Sequence, residues 1–115
     1  MTLETEGTID FVAHDPAHDE ALLVMVHDQP WADAGHHLPP LQAKFNAYFA
    51  FATSGGLVEA YPELSGKTVH IQLRSTTPPG ARELEFLRIV ATHHLRPAGI
   101  RLSWRVIGEP HEHGI

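Results

Sequence analysis

The sequence contains no cysteine. That single absence excludes disulfides, thiol nucleophiles, cysteine-ligated zinc and iron–sulfur clusters together, and it makes a reducing cytoplasm the expected location. Long apolar runs are also missing. A stretch such as Ala21-Leu22-Leu23-Val24-Met25-Val26 falls far short of the about 20 residues that a membrane-crossing helix needs. The first residues, Met1-Thr2-Leu3-Glu4-Thr5-Glu6, are acidic rather than basic and lead into no apolar segment, so no secretory signal is expected. Basic charge is in deficit: 8 Lys and Arg stand against 14 Asp and Glu, a formal net charge of -6. This favours solubility and argues against nucleic acid, whose phosphates are held by cationic side chains. Common catalytic signatures are absent as well. No G-x-S-x-G elbow and no H-E-x-x-H pair occurs, and Thr53-Ser54-Gly55-Gly56 follows a helix instead of opening one.

What is present fits one globular domain. The 115 residues carry 43% hydrophobic and 19% charged side chains, an ordinary composition for a folded chain with a single core. Residues 8–14 alternate in polarity and predict a strand, Asp15-Pro16-Ala17-His18-Asp19 supplies turn chemistry, and residues 20–28 predict a second strand in the same hairpin. Pro39-Pro40 suits a helix start. Leu41, Phe45, Tyr48, Phe49 and Ala52 then recur along one helical stripe up to the Ser54-Gly55-Gly56 stop. Residues 57–64 predict an irregular helical turn, and residues 67–75 a clean strand. Residues 81–96 predict a second helix on the stripe Leu84, Leu87, Val90 or Ala91, and His94–Leu95, with residues 100–107 a last strand. Glu83 and Glu85 flank a core-facing position of that helix and are expected to face water.

The expected fold is therefore an α/β (α+β) two-layer domain in ββαβαβ order. Right-handed crossovers running the same way would place both helices on one face of a four-stranded mixed sheet. Residues 1–7 are a lead-in, 8–107 the domain, and 108–115 a polar, histidine-rich tail expected to be mobile. The face away from the helices would then hold Asp10, Val12 and His14, then His70, Gln72 and Arg74, then Arg101, Ser103, Arg105 and Ile107. The second strand would add either Leu22, Val24 and Val26 or Leu23, Met25 and His27. An apolar strip beside Arg74, Arg101 and Arg105 is the composition of an interface. Trp104 falls on the core side, so the face lacks the aromatic platform that single-stranded nucleic acid would want.

Ten histidines are the compositional oddity, and they should make the net charge change steeply just below neutrality. His14 and His18 flank the hairpin turn beside Asp15 and Asp19, which makes them the candidate metal ligands. His93 and His94 are adjacent on a helix and point about 100° apart, so they do not share an ion. His111 and His113 lie in the tail. Asp28, Asp33 and His37 share one loop, where turn and capping duties compete with an acid–base set.

The segment His27-Asp28-Gln29-Pro30-Trp31, then His37-Leu38, Leu41-Gln42-Ala43-Lys44-Phe45-Asn46-Ala47-Tyr48, Ser54-Gly55, Tyr61-Pro62 and Gly66-Lys67 resembles a family of small bacterial proteins catalogued as a domain of unknown function. The likeness covers about residues 8–106. Pro39-Pro40 departs from it, since aliphatic residues are usual there, and the tail lies outside it. The resemblance implies a bacterial cytoplasmic protein and carries no activity, cofactor or catalytic residue. It does draw attention to the loop before the helix. Asn46 sits beside the apolar stripe one turn from Gln42 and is expected to bond the 28–37 loop; either Trp31 packs over the helix start and the polar groups tie the loop down, or Asp28, Trp31 and His37 form the lip of a recognition site.

The function expected from these readings is a non-catalytic protein-binding module, immunity- or inhibitor-like or an adaptor, that needs no cofactor. Its binding residues would be drawn from Asp28, Trp31, His37, Gln42, Asn46, Arg74, Arg101 and Arg105, and its partner would be a more basic protein. The alternatives are a small metal-dependent or His/Asp-based enzyme and a homodimer formed through the helix-free sheet face.

Overall fold

The computed structural model describes residues 11–27 and 38–115, with side chains in the second segment from Gln42 onward. Strand β1 (Phe11–Asp15) turns through Pro16-Ala17-His18-Asp19 into β2 (Glu20–His27). Asp19 closes the turn at φ 54°, a left-handed conformation that aspartate tolerates better than most residues. Helix α1 (Leu38–Thr53) and the short α2 (Gly56–Ala60) lead through a 3-10 turn to β3 (Thr68–Ser75). Helix α3 (Ala81–Val90) continues as a wider π turn at Ala91–Leu95 and a 3-10 turn at Arg96–Ala98, then ends at Gly99, whose φ of 75° is the left-handed stop. Strand β4 (Arg101–Val106) and a three-residue β5 (Glu112–Gly114) complete the chain.

The sheet order is β1-β2-β3-β4-β5. The central strands β2, β3 and β4 run parallel, and the two outer pairs are antiparallel. Both crossovers step one strand along in the same direction, so α1 and α3 lie side by side on one face, with the rings of Phe45 and Phe86 6.0 Å apart. The mixed α+β architecture agrees with the sequence expectation; the strand count does not. Four strands become five because the segment expected to be a mobile tail pairs with β4. Ile115 N–H donates to the Leu102 carbonyl (3.1 Å), and the His113 ring stacks on Trp104 at 4.0 Å and 11°. A three-residue strand with one apolar neighbour leaves almost no periodic signal in the sequence.

The core lies between the helices and the sheet. It is built from Ala21, Leu23 and Met25 of β2, Ile71 and Leu73 of β3, Leu102 of β4, Phe45 and Tyr48 of α1, and Leu87, Val90, Ala91 and Leu95 around α3. The Tyr48 hydroxyl satisfies itself on the Val24 carbonyl at 2.8 Å. Register decides which β2 set faces away from the helices: Leu22, Val24 and Val26 pair with His70, Gln72 and Arg74 and share their face. Strand β1 corrects the expectation for Val12 and His14. Val12 pairs with Leu23 and His14 with Ala21, on the helix side, while Phe11, Ala13 and Asp15 take the other face. The pattern Phe11-Val12-Ala13 is apolar on both sides, so pairing with β2 settled what the strand could not. Glu83 is corrected as well: it is buried, and its Oε1 accepts the Gly80 N–H at 2.9 Å to cap α3. A Cβ at Gly80 would lie 2.7 Å from that oxygen, so a larger residue there would push the Glu83 carboxylate aside.

Candidate functional site

The chemistry-bearing side chains gather on the sheet face opposite the helices. Parallel pairing sets His70 beside Arg101, Gln72 beside Ser103 and Arg74 beside Arg105, while antiparallel pairing sets Glu112 beside Arg105. Glu20 stands at the start of β2, opposite Thr68. Its carboxylate takes a bidentate contact from Arg101 across β3, Nη2 to Oε1 at 3.0 Å and Nε to Oε2 at 3.3 Å.

Hydrogen-bond directions follow from what each group can donate. Arg101 Nη2 lies 3.1 Å from His70 Nδ1. A guanidinium cannot accept, so Nδ1 is the accepting nitrogen and the ring proton sits on Nε2. That N–H donates to Ser103 Oγ at 2.6 Å, and the Ser103 hydroxyl in turn bonds Glu112. From the other end, Arg74 Nε donates to Gln72 Oε1 at 2.7 Å, and Gln72 Nε2 donates to Glu112 Oε2. Two lines of donors thus converge on one carboxylate. His70, Gln72 and Ser103 are all buried although no helix covers this face. Burial and the neighbouring Arg101 charge hold the His70 imidazole below its ordinary pKa, against the opposing pull of Glu112, Glu20 and Asp15.

The Ser103–His70 pair has the residue types of an acyl-transfer site but the reverse polarity. A serine nucleophile needs an imidazole nitrogen free to take its proton and a carboxylate on the other nitrogen. Here Nε2 donates, Nδ1 is held by a cation, the Glu20 oxygen is 3.6 Å away, and Ser103 has 0% exposure. A metal fares no better. Donor atoms of Asp15, Glu20 and His70 lie within 4.8 Å of one another. Arg101 already bonds two of those three residues, so an ion would have to displace a guanidinium that satisfies both.

The sequence-predicted residues are scattered across the molecule. Arg74, Arg101 and Arg105 share the helix-free face, as expected from strand alternation. His14 and His18 face separate carboxylates, His14 on Asp19 at 2.8 Å and His18 on Asp15 at 3.0 Å. Lys67 also holds Asp19 at 2.8 Å. These hydrogen bonds, from His18 to Asp15 and from Lys67 and His14 to Asp19, keep both carboxyls below their usual range. Gln42 and Asn46 lie exposed on α1 beside a shallow groove of about 120 Å³ that Phe86 and Ile89 help to line. The loop that Asn46 was expected to bond lies outside the described residues; Lys44, two positions earlier, is a buried polar residue of that helix, at 0% exposure. Asp28, Trp31 and His37 lie outside the described residues.

Sequence reasoning missed Glu20, Ser103 and Glu112 as members of one cluster. The signal was there for part of it. His70-x-Gln72-x-Arg74 and Arg101-x-Ser103-x-Arg105 put six hydrogen-bonding side chains on the same side of two strands that a single crossover makes neighbours.

The family of unknown function DUF6572 matches residues 1–108, and the chain belongs to that family. No curated protein and no solved structure matches it.

Proposed function

We propose that this family member is a bacterial, cytoplasmic, non-catalytic protein-binding module, acting as an immunity or inhibitor protein or as an adaptor, and that it meets its partner through the helix-free sheet face. The observation that carries the reading is the saturation of the polar cluster. The groups a catalyst would use are bound to one another, with the imidazole proton on the wrong nitrogen for activating Ser103. Such a network is a rigid platform for recognition and leaves no free base. Beside it on the same face stand Phe11, 51% exposed, and the partly buried Leu22 and Val26, a composition suited to an interface. The net charge of -6 steers a basic partner toward the module. The segment bearing Asp28, Trp31 and His37 follows β2 directly in the chain and supplies a tryptophan of the kind that anchors interfaces.

The test is quantitative capture of proteins from lysate of the source organism on the full chain, with two substitutions of matched chemistry. Phe11→Glu alters the sheet face, and Ile89→Glu alters an equally exposed site on α3 (49%). A single stoichiometric partner that Phe11→Glu loses and Ile89→Glu keeps is the expected result. The reverse pattern assigns the contact to the helix layer, and a wild-type dimer that Phe11→Glu dissolves replaces the partner with a second copy.

A further inference from the structure

We propose that Arg74 and Arg105 form an oxyanion-binding site that takes a phosphate or carboxylate group at the carboxyl ends of β3 and β4. The two residues are direct cross-strand partners on parallel strands, one position before each strand ends, with both side chains on the helix-free face. Adjacent strands run about 4.8 Å apart, so two guanidiniums stand side by side with like charge.

What surrounds them neutralises them only in part. Among the described residues neither arginine makes an ion pair. Arg74 spends its Nε on the neutral oxygen of Gln72. Arg105 Nε is buried and has no hydrogen-bond partner among the described residues. Glu112 is the cross-strand neighbour of Arg105, yet its oxygens are engaged by Gln72 and Ser103, and its nearest cation is Arg101 at 3.7 Å. Burial first, and the Arg105 charge second, hold the Arg74 guanidinium below its ordinary pKa, against the opposing pull of Glu112.

Two like charges on neighbouring strands, countered only in part by Glu112 and with no ion-pair partner among the described residues, are a costly arrangement, and native proteins rarely leave such groups unmatched. One oxyanion answers that repulsion: it bridges the terminal nitrogens of the two forks and sets a negative charge between two positive ones. Arginine rather than lysine suits that task because its planar donors match the spacing of oxygens on a carboxylate or phosphate. The site is fixed from behind, since Gln72 orients Arg74 and is itself locked to Glu112. It stands independently of a protein partner, and failure of either proposal leaves the other in place.

The experiment titrates the full-length protein at low ionic strength with inorganic phosphate, with succinate and with chloride, reading heat of binding and melting temperature. The expected result is saturable binding of phosphate, succinate or both, with a dissociation constant in the millimolar range or below, and no saturable response to chloride. Binding of phosphate alone identifies a phosphate site, and binding of succinate alone a carboxylate site. Arg105→Gln and Arg74→Gln should each weaken binding by roughly tenfold or more, while Arg88→Gln, on the exposed side of α3, should leave it unchanged. Without anion, Arg105→Gln should melt no lower than the wild type, because it removes a repulsion as well as a charge. Absence of saturable binding up to about 10 mM, or equal binding by both variants, overturns the proposal.

Discussion

The two faces of the central sheet are buried by different means. On the helix side Ala21, Leu23, Met25, Ile71, Leu73 and Leu102 exclude water by apolar contact, which is additive, non-directional and tolerant of small shifts. On the opposite side His70, Gln72 and Ser103 are just as buried, but by hydrogen bonds that converge on Glu20 and Glu112. That arrangement is all-or-none, since each donor is matched to one acceptor and loss of a partner strands the other. The comparison teaches that an alternating polar residue on a strand is not always a solvated one. A network can bury it as firmly as a helix can.

The sharpest way to break the comparison is to cut each face once. Leu73→Ala, fully buried on the helix side, should cost about 2–5 kcal/mol in urea unfolding through lost transfer energy and the cavity left behind. Arg101→Leu, on the other face, should cost about 1–3 kcal/mol. Its own side chain is 40% exposed, so solvent screens part of the loss, but the Glu20 carboxylate (9% exposed) and His70 Nδ1 both lose their donor. The double variant Glu20→Leu with Arg101→Leu should be less destabilised than the sum of the two single changes, because neither charge is then left unpaired. Additive losses would show that the network is a set of independent surface pairs.

A smaller effect separates the faces by pH. The folded state holds His70 below its unfolded pKa of 6.5. The unfolded chain therefore binds the proton more readily, and stability conferred by neutral His70 is present above about pH 6.5 and lost as pH falls toward the folded value. Melting temperature should drop between about pH 7 and pH 5, and His70→Asn should flatten that part of the profile. An unchanged slope in His70→Asn would assign the acid sensitivity to other histidines. The smallest expected effect is at the seam between the faces' outer strands. His113→Ala should remove the stack on Trp104, cost about 0.5–1 kcal/mol, and change the near-ultraviolet dichroism of that tryptophan.

Much of the element order was readable because each element carries its own signal. Leu84, Leu87, Val90 and Leu95 recur at helical spacing, and Val69-His70-Ile71-Gln72-Leu73-Arg74 alternates cleanly; the strand formed over Thr68–Ser75, and the helix formed with its last turns widened and His94 exposed. The candidate site was half legible. Strand alternation placed His70, Gln72, Arg74, Arg101, Ser103 and Arg105 on one face, yet it gave no sign that His70, Gln72 and Ser103 are buried there, and Glu112 fell in a segment expected to be a tail. The hairpin's first strand misled for a related reason: Phe11, Val12 and Ala13 are apolar in succession, so period two had nothing to hold on to.

Composition alone carried the exclusions, and local periodicity carried the helices and strands with strong signals; that both crossovers step the same way, and so layer the helices on one face, was set by the strand order of the folded sheet. Tertiary structure alone decided the facing of β1, the recruitment of residues 112–114 as a fifth strand, and the meeting of Glu20, His70, Arg101, Ser103 and Glu112. The reason is distance along the chain. The bonds that make the cluster join residues 81, 40 and 33 positions apart, and what brings them within 3 Å is strand register, a property of pairs of segments that no single segment encodes.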